Sequence, residues 1–426
     1  EWRPAWLAGD GGLWAERSRH ERWLRRAGLF VGVSVCASLA TWPVLLAHFG
    51  VVSATGVWVN LIATPLFGVI VFPCVVALTV CATCVPFLAP LAIEAAYSML
   101  SATRAALAAA AQVPGTELIV GVPSGWVVAL SALSVVALCT SRARPARVVL
   151  SVAILAGVVA WAGPGRPDDS VRVHFIPVGQ GDATLVQFPD GTDVLIDAGG
   201  RRYGPDPGRR RVVPYLHRLG VQTLEWLVVT HSDWDHLGGA GAVVEAYPPD
   251  TLVVDARDES PALEALVGRA SAAHAEIERV RGATATELVP GLDVVRPDPV
   301  GYASRNDRSL VVSLRQQRAT ALFAADIELK GENWLREHVE AGSTLLKIPH
   351  HGSRTSSSPR FIDAVGPAVA VSSSGRGHHF GHPHSEVVRR YQRRGVDVFG
   401  THRHGLVVVD LLFDGRARVR AFRGHR

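Results

Sequence analysis

Residues 226–239 read Trp226, Leu227, Val228, Val229, Thr230, His231, Ser232, Asp233, Trp234, Asp235, His236, Leu237, Gly238, Gly239. An apolar run of strand type ends at Thr230. Four side chains able to bind a metal, His231, Asp233, Asp235 and His236, follow within six residues, and a glycine pair closes the segment. A buried strand is stiff, so the turn at its end is held in a fixed place. The alternation lets two of the four face one ion and two another. Imidazoles and carboxylates suit Zn²⁺ or Mn²⁺ and give no preference to soft thiolates. The competing reading is a polar turn with chance histidines. Against it, His and Asp residues recur downstream after further strand-like runs.

The 426 residues suffice for two or three domains, and their composition is uneven. Up to about Gly163 the chain is mostly apolar. Beyond Pro164 it becomes a mixture of charges, Gly and Pro typical of soluble domains. All five cysteines (Cys36, Cys74, Cys81, Cys84, Cys139) lie in the apolar part. The second part therefore has neither a disulfide nor a cysteine ligand, and the Cys81/Cys84 pair reads as packing inside an apolar run. Fifteen of the 17 histidines follow residue 170, which favours metal or acid–base chemistry there. The net charge of +5 supports anionic partners only weakly. The chain opens on Glu1 and shows no signal-peptide pattern, so a piece of a longer protein, cut inside a membrane domain, is expected.

In the apolar part a basic segment, 16–26, precedes an apolar run from Ala27 to about Phe49 that is long enough to cross a bilayer. The run Val57–Ile93 is too long for one crossing and is broken by Pro65, Pro73, Pro86 and Pro90, so two crossings or two broken helices are expected. Asn60 within it is a pore-lining polar group or an interhelical hydrogen bond. Residues 94–112 read as an amphipathic helix. Two further apolar runs, Gly125–Cys139 and Val148–Ala162, flank a loop with Arg142, Arg144 and Arg147. With both basic segments cytoplasmic, the second part of the chain falls outside the cytoplasm. A cytoplasmic placement remains the alternative, because broken helices make the count fragile.

In the second part, Val171–Phe175, Thr184–Phe188 and Asp193–Ile196 read as strands, with a hairpin turn at Pro189-Asp190-Gly191. Between them lie Gly179-Gln180-Gly181-Asp182 and Ile196-Asp197-Ala198-Gly199. Residues 201–211 carry five arginines and Tyr203 and read as a mobile basic loop beside the site or as a solvated one. Val212–Gly220 and 258–280 read as helices, and Ala321–Asp326 as a strand ending in an acid. Thr344–Pro349 is a strand followed by His350-His351-Gly352-Ser353. The run Ser353–Ser358 offers hydroxyls to a phosphate. His378, His379, His382 and His384 crowd a Gly-rich loop. Val396–Phe399 and Leu406–Leu411 are expected to close a second sheet, with His402 and His404 peripheral.

The turn His231-x-Asp233-x-Asp235-His236 resembles the metal-binding turn of the metallo-β-lactamase superfamily, with Asp233 where a second His is usual. The Gly-Gln-Gly-Asp, Ile-Asp-Ala-Gly and His-His-Gly-Ser pieces, with Leu39–Pro43 and Val59–Pro65, resemble one branch of it, the ComEC-type competence proteins. The resemblance covers nearly the whole chain. It implies α-helical transmembrane segments over 1–163, the last part of a competence membrane domain. An αββα metallo-β-lactamase-like sandwich follows over 164–426. It implies two divalent ions, Zn²⁺ or Mn²⁺, on His231, Asp233, Asp235, His236, Asp326 and one of His350 and His351, with Asp326 bridging. Asp235, Asp326 and His382 would be catalytic, His382 as general acid or substrate contact. Asp197 would orient the metal turn, Asp182 would lie at the site edge, and Ser353 would contact substrate. Asn306 and Ser309 stand where many relatives carry a further metal His, and Ala325 replaces the usual Gly before Asp326.

The function implied is a multi-pass cell-membrane channel component for DNA uptake in natural transformation. Its metal-dependent nuclease domain would hydrolyse the strand not taken up. DNA, the lipid bilayer, a DNA receptor and a helicase-like ATPase are the implied partners. The alternatives are a domain that binds and guides DNA without cutting, or a hydrolase of small phosphodiesters.

Overall fold

The computed structural model describes residues 19–53 and 66–111, short pieces between 59 and 133, and residues 166–422 apart from 167, 201–203, 284, 300–303, 339–341 and 378. The chain divides into two compact units, Glu1–Trp161 and Ala162–Arg426.

In the first unit, α1 (Arg19–Phe49) covers the first expected crossing. A short strand, β1 (Val51–Ser53), pairs antiparallel with β2 (Glu117–Ile119). The run Val57–Ile93 divides into two helical pieces, of which Leu66–Cys84 is long and apolar enough to cross a bilayer. A π-helical turn, Leu66–Val71, leads straight into α2 (Phe72–Cys84), and the break falls at the 3₁₀ turn Pro86–Leu88. Its last residues join the Ala-rich stretch in one helix, α3 (Ala89–Ala111). Proline explains the division. Pro86 lacks the N–H that would continue α2, whereas Pro90 sits in the first turn of α3, where that N–H has no helical partner anyway, and Pro73 follows the π-helical turn, where the regular ladder is already interrupted. Among the described residues, Val31–Phe49 and Leu66–Cys84 are long and apolar enough to cross a bilayer, with mean hydropathy 1.5 and 2.4. The Asn60 amide donates to Ser38 Oγ at 3.3 Å, the plainer of its two readings. The basic side chains of 16–26 and the loop Arg142–Arg147 lie outside the described residues, as do the run Val148–Ala162 and most of Gly125–Cys139.

The second unit is two packed sheets. In the first, β3 (Ser170–Phe175), β4 (Thr184–Gln187) and β5 (Asp193–Ile196) run antiparallel, and β6 (Leu224–Val228), β7 (Pro249–Asp255) and β8 (Glu276–Val280) continue in parallel. The second holds β9 (Thr286–Val289), β10 (Leu292–Val295), β11 (Val311–Gln316) and β12 (Ala319–Phe323), antiparallel, then β13 (Leu345–Lys347), β14 (Val369–Ser372) and β15 (Asp397–Gly400), parallel. The chain then returns to the first sheet with β16 (Leu406–Leu412) and β17 (Ala417–Phe422), giving orders β17-β16-β3-β4-β5-β6-β7-β8 and β15-β14-β13-β12-β11-β10-β9.

Strand alternation builds the layers. Val173, Phe175, Val186 and Val228 meet Val312, Ala321, Phe323 and Val371 between the sheets. Leu322, Leu346 and Ala370 point the other way and are covered by Phe361 and Ile362 of the helix Pro359–Val365 and by Val387 and Tyr391 of the helix Ser385–Gln392. At full burial each such side chain contributes about 1.5–3 kcal/mol.

Three expectations are corrected. The segment 258–280 is helical only over Pro261–Ala272, where the Ser260 side chain caps Leu263 N–H; Glu276–Val280 alternates and becomes edge strand β8. Leu406–Leu411 does not close the second sheet: β16 pairs with β3, and the Arg172–Asp410 ion pair at 2.6 Å fixes that register. Arg209, Arg210 and Arg211 do not lie in a mobile loop. They sit in a π-helical turn, Gly208–Val212, where Asp206 accepts Gly208 N–H at 2.7 Å, Arg209 pairs with Glu245 and Arg211 donates to Pro177 O. Arg201, Arg202 and Tyr203 lie outside the described residues.

His174 of β3 is fully buried between the Tyr215 hydroxyl, 2.7 Å from Nδ1, and Gln187 Oε1, 3.0 Å from Nε2. Burial, then the Arg172 charge, pushes its imidazole down to about 3. The unfolded chain therefore binds one more proton below the ordinary imidazole value. The stability that neutral His174 supports is lost as pH falls from about 6.5 toward 3, by at most about 1.4 kcal/mol per pH unit. Melting of the full chain across that window is expected to be less acid-sensitive, by about one proton, in His174→Gln.

Candidate metal centre

The centre forms where strands end. The carboxyl ends of β5, β6, β12, β13 and β14 lead into Asp197, His231–His236, Asp326, His350–His351 and Ser373 respectively. Parallel neighbours put such loops on one edge of a sheet, where ligands of α/β sheets gather.

Asp197 sits at φ 57, a left-handed conformation, and its carboxylate reaches across to the metal turn. Oδ1 accepts Thr230 N–H at 2.8 Å; Oδ2 accepts Thr230 Oγ1–H at 2.8 Å and His236 Nδ1–H at 2.7 Å. The His236 tautomer is thereby fixed with Nε2 bare, and that atom is buried without a hydrogen bond. His351 is fixed likewise, Nδ1–H donating to Ser373 O at 2.8 Å. The bare nitrogens converge with two carboxylates. His236 Nε2 lies 3.3 Å from Asp326 Oδ1, and His351 Nε2 lies 3.4 Å from Asp326 Oδ2 and 3.2 Å from Asp235 Oδ2. Donors around a tetrahedral ion at about 2.0–2.1 Å stand about 3.3–3.4 Å apart. His236, His351 and Asp326, with Asp235 beside His351, therefore offer donors at the spacing a divalent metal needs.

The expected residues do not all gather there. His231 is buried beside His236, ring centroids 4.1 Å apart, with Nδ1–H on Thr230 Oγ1 at 3.0 Å and Nε2 unpartnered. Asp233 turns outward to Arg305 Nη1 at 2.8 Å and is 3.8 Å from His231 Nε2. Of the histidine pair, His351 is buried in the cluster, while His350 is partly exposed, its Nδ1 3.3 Å from Glu328 Oε1 and its Nε2 3.9 Å from Asp326 Oδ2. His382 stands at the mouth, its ring centroid 6.3 Å from His351 and Nδ1 3.5 Å from Gln180 Nε2; burial, then the neighbouring His351 and His350, pushes it down to about 4.

Asp182 is not at the site edge. It is buried within the cluster, 3.4 Å from His351 Nδ1, because Asp182 N–H bonds to Asp235 O at 3.0 Å and draws the Gly-rich loop under the metal turn. Ser309 donates its hydroxyl to Asn306 O at 2.8 Å, so the two close their own turn. Ser353 bonds to Thr355 Oγ1 at 2.9 Å. The rest of that run is committed as well. Ser356 donates to Pro349 O at 3.0 Å, Ser357 Oγ accepts from Tyr391, Ser358 caps Phe361, and buried Glu332 accepts the N–H groups of Ser357 and Ser358. His378 lies outside the described residues.

Lys347 is the residue the motifs pass over. It ends β13, is buried, pairs with Asp182, donates to Ala325 O at 2.7 Å and lies 3.5 Å from Asp326 Oδ1. Its signal in sequence is a lone lysine in the apolar strand Leu345–Ile348. Burial works against its charge, but Asp182 and Asp326 raise its pKa further still. Burial also works against a charge on His351, but Asp326 and Asp182 raise it to about 10, so with no ion bound Nε2 carries a proton where a divalent ion would stand. The cluster holds an excess of negative charge and demands cations.

Residues 11–145 match the competence-protein family model, and residues 176–378 match that of the metallo-β-lactamase superfamily. The chain thus joins a competence-protein region to a metallo-β-lactamase-superfamily region, and its curated relatives are competence proteins of the ComEC type. It is similar to ComE operon protein 3 of Bacillus subtilis (strain 168), with 25% identity over 396 residues, 88% of this chain and 51% of that protein. It is similar to competence protein ComA of Neisseria gonorrhoeae, with 30% identity over 277 residues, 64% of this chain and 36% of that protein. The chain spans about half the length, or less, of these relatives. Among solved structures it is similar to a metal-dependent hydrolase of the β-lactamase superfamily at 14% identity, covering 54% of this chain and 94% of that one with TM-score 0.38.

Two outcomes test the geometry. Asp197→Asn keeps the shape but weakens the hold on His236. Metal affinity of the full chain, read by chelator competition, is expected to fall about 10–100-fold. Ala325 sits at φ 44, as His350 and His351 sit at 47 and 54. A left-handed non-glycine costs about 1–3 kcal/mol. Ala325→Gly is expected to raise the melting temperature by about 2–4 °C.

Proposed function

We propose that the second unit is a metal-dependent phosphodiester hydrolase acting on DNA, and that the first is part of the membrane channel through which one strand passes. The carrying observation is that one chain joins a competence-protein region to a cluster in which His236, His351 and Asp326 are buried with donors 3.3–3.4 Å apart and Asp235 lies 3.2 Å from His351 at its edge. Asp235, His236, Asp326 and His351 would hold Zn²⁺ or Mn²⁺, the first of the two ions expected. Such an ion, when bound, lowers the pKa of a water and offsets charge on a phosphoryl oxygen.

The chain's own groups do the rest. Asp197 and Ser373 hold the two imidazoles in the tautomer that presents Nε2. Lys347, itself held by Asp182, lies under the cluster and helps keep Asp326 ionised and aligned. His382 at the mouth is placed to contact substrate. Trp234, inside the metal turn, and Phe380, whose ring centroid is 5.6 Å from that of His382, are about half exposed and offer stacking faces for bases. Arg305, Arg354 and Arg376 are exposed near these loops and suit phosphate oxygens. In this reading the unit lies outside the cytoplasm, cuts the strand not taken up, and works with a DNA receptor and a helicase-like ATPase.

A second reading, a domain that guides DNA without cutting, draws on the outward turn of Asp233. The test is cleavage of end-labelled single- and double-stranded DNA by the full chain in detergent, stripped and reloaded with Mn²⁺ or Zn²⁺. Cleavage that depends on metal and disappears in Asp326→Ala is expected. Retained metal and DNA binding without any cleavage would favour the guiding role.

A further inference from the structure

We infer that this centre binds a single divalent ion, on Asp235, His236, Asp326 and His351, and that the Arg305 guanidinium stands at the second position as the cation that meets an anionic substrate. The inference rests on the reading of the cluster as a metal site, and it departs from the pair of ions expected from the sequence.

Three observations carry it. The first is the orientation of Asp326. A carboxylate that bridges two ions gives one oxygen to each. Here Oδ1 lies 3.3 Å from His236 Nε2 and Oδ2 lies 3.4 Å from His351 Nε2, so both oxygens border the same small space. Oδ1 also lies 3.5 Å from Lys347 Nζ, a fixed positive charge that a second ion beside it would meet.

The second is the ligand count. A protein site for Zn²⁺ offers at least three ligands. Among the described residues, Asp182, His236, Asp326 and His351 form the one group of three or more potential ligands within mutual reach; Asp182 is taken up by Lys347, and Asp235 borders the group with Oδ2 3.2 Å from His351 Nε2. His231 has Asp233 as its one carboxylate within 4.0 Å among those residues. The adjoining turn supplies no third ligand. The backbone bond from Leu310 N–H to Thr230 O, 2.9 Å, brings Ser309 beside the metal turn, but the Ser309 hydroxyl is given to Asn306 O.

The third is what Asp233 does instead. Its Oδ1 accepts Arg305 Nη1 at 2.8 Å, and the same nitrogen lies 3.4 Å from Ser232 Oγ. Arg305 is 59% exposed, and among the described bonds only Nη1 is engaged. A guanidinium has five N–H donors in a planar fork suited to two oxygens of one phosphate. Arg305 thus places a permanent positive charge where the half-built His231–Asp233 pair would leave an ion weakly held, and it keeps donors free for a ligand.

The test counts metal rather than cleavage. The full 426-residue chain in detergent is saturated with Zn²⁺ or Mn²⁺, desalted and analysed by plasma mass spectrometry. One equivalent per chain is expected, retained in His231→Ala and lost in Asp326→Ala. In parallel, Arg305→Ala is expected to keep one equivalent. It should weaken binding of a short fluorescent single-stranded DNA about tenfold, the scale of one charge-assisted hydrogen bond. Two equivalents in the unaltered chain, one of them lost in His231→Ala, would overturn the inference, as would unchanged DNA binding in Arg305→Ala. The two readings fail separately. One ion without cleavage removes the nuclease and leaves this inference standing; two ions with cleavage do the reverse.

Discussion

The centre depends on one carboxylate. Asp197, held at φ 57 where β5 ends, accepts the Thr230 amide, the Thr230 hydroxyl and the His236 imidazole. These bonds tie the ends of two neighbouring parallel strands and fix which nitrogen of His236 is bare. Thr230 in turn orients His231, so the metal turn takes its geometry from a residue that touches no ion. Burial makes the arrangement stiff: in a low dielectric such hydrogen bonds are stronger, and leaving any partner unpaired costs more.

Charge is the second constraint. Asp182 and Asp326 are buried beside Lys347 and His351, and burial alone would push both toward the neutral form. Lys347 and the two histidines keep Asp326 well below the usual carboxylate range despite burial. Lys347 also ties Asp182 to the strained Ala325 carbonyl, so the lysine is both counter-charge and brace. Left-handed non-glycine residues concentrate here at Asp197, Ala325, His350 and His351, and the surrounding packing of both sheets holds them in place.

Function follows from where this cluster sits in the chain. A competence-protein region precedes it, and that region contains two helices apolar and long enough to cross a bilayer. The fold alone fixes no substrate. In the proposed reading, the exposed aromatic and arginine side chains around the cluster suit a polyanion with stacking bases.

The sequence by itself determined the class of chemistry and most of the strands. The run into His231–His236, the acid at the end of Ala321–Asp326 and the His350–His351 pair stand out as candidate metal ligands by residue type and strand-end position. It also marked Asp197, through a motif. Contacts between residues far apart in sequence were decided only by the tertiary structure. No pattern in the sequence separates His350 from His351; their backbone places one ring inside and one at the rim. Asp182 looked peripheral until the bond to Asp235 O drew its loop beneath the turn. Lys347 carries no motif weight, yet it meets Asp182 and Asp326 across two sheets. The return of Leu406–Leu412 to the first sheet rests on β3 partners more than 200 residues away, including the Arg172–Asp410 pair. Local sequence fixes periodicity and ligand type; which carboxylate meets which cation is a property of packing.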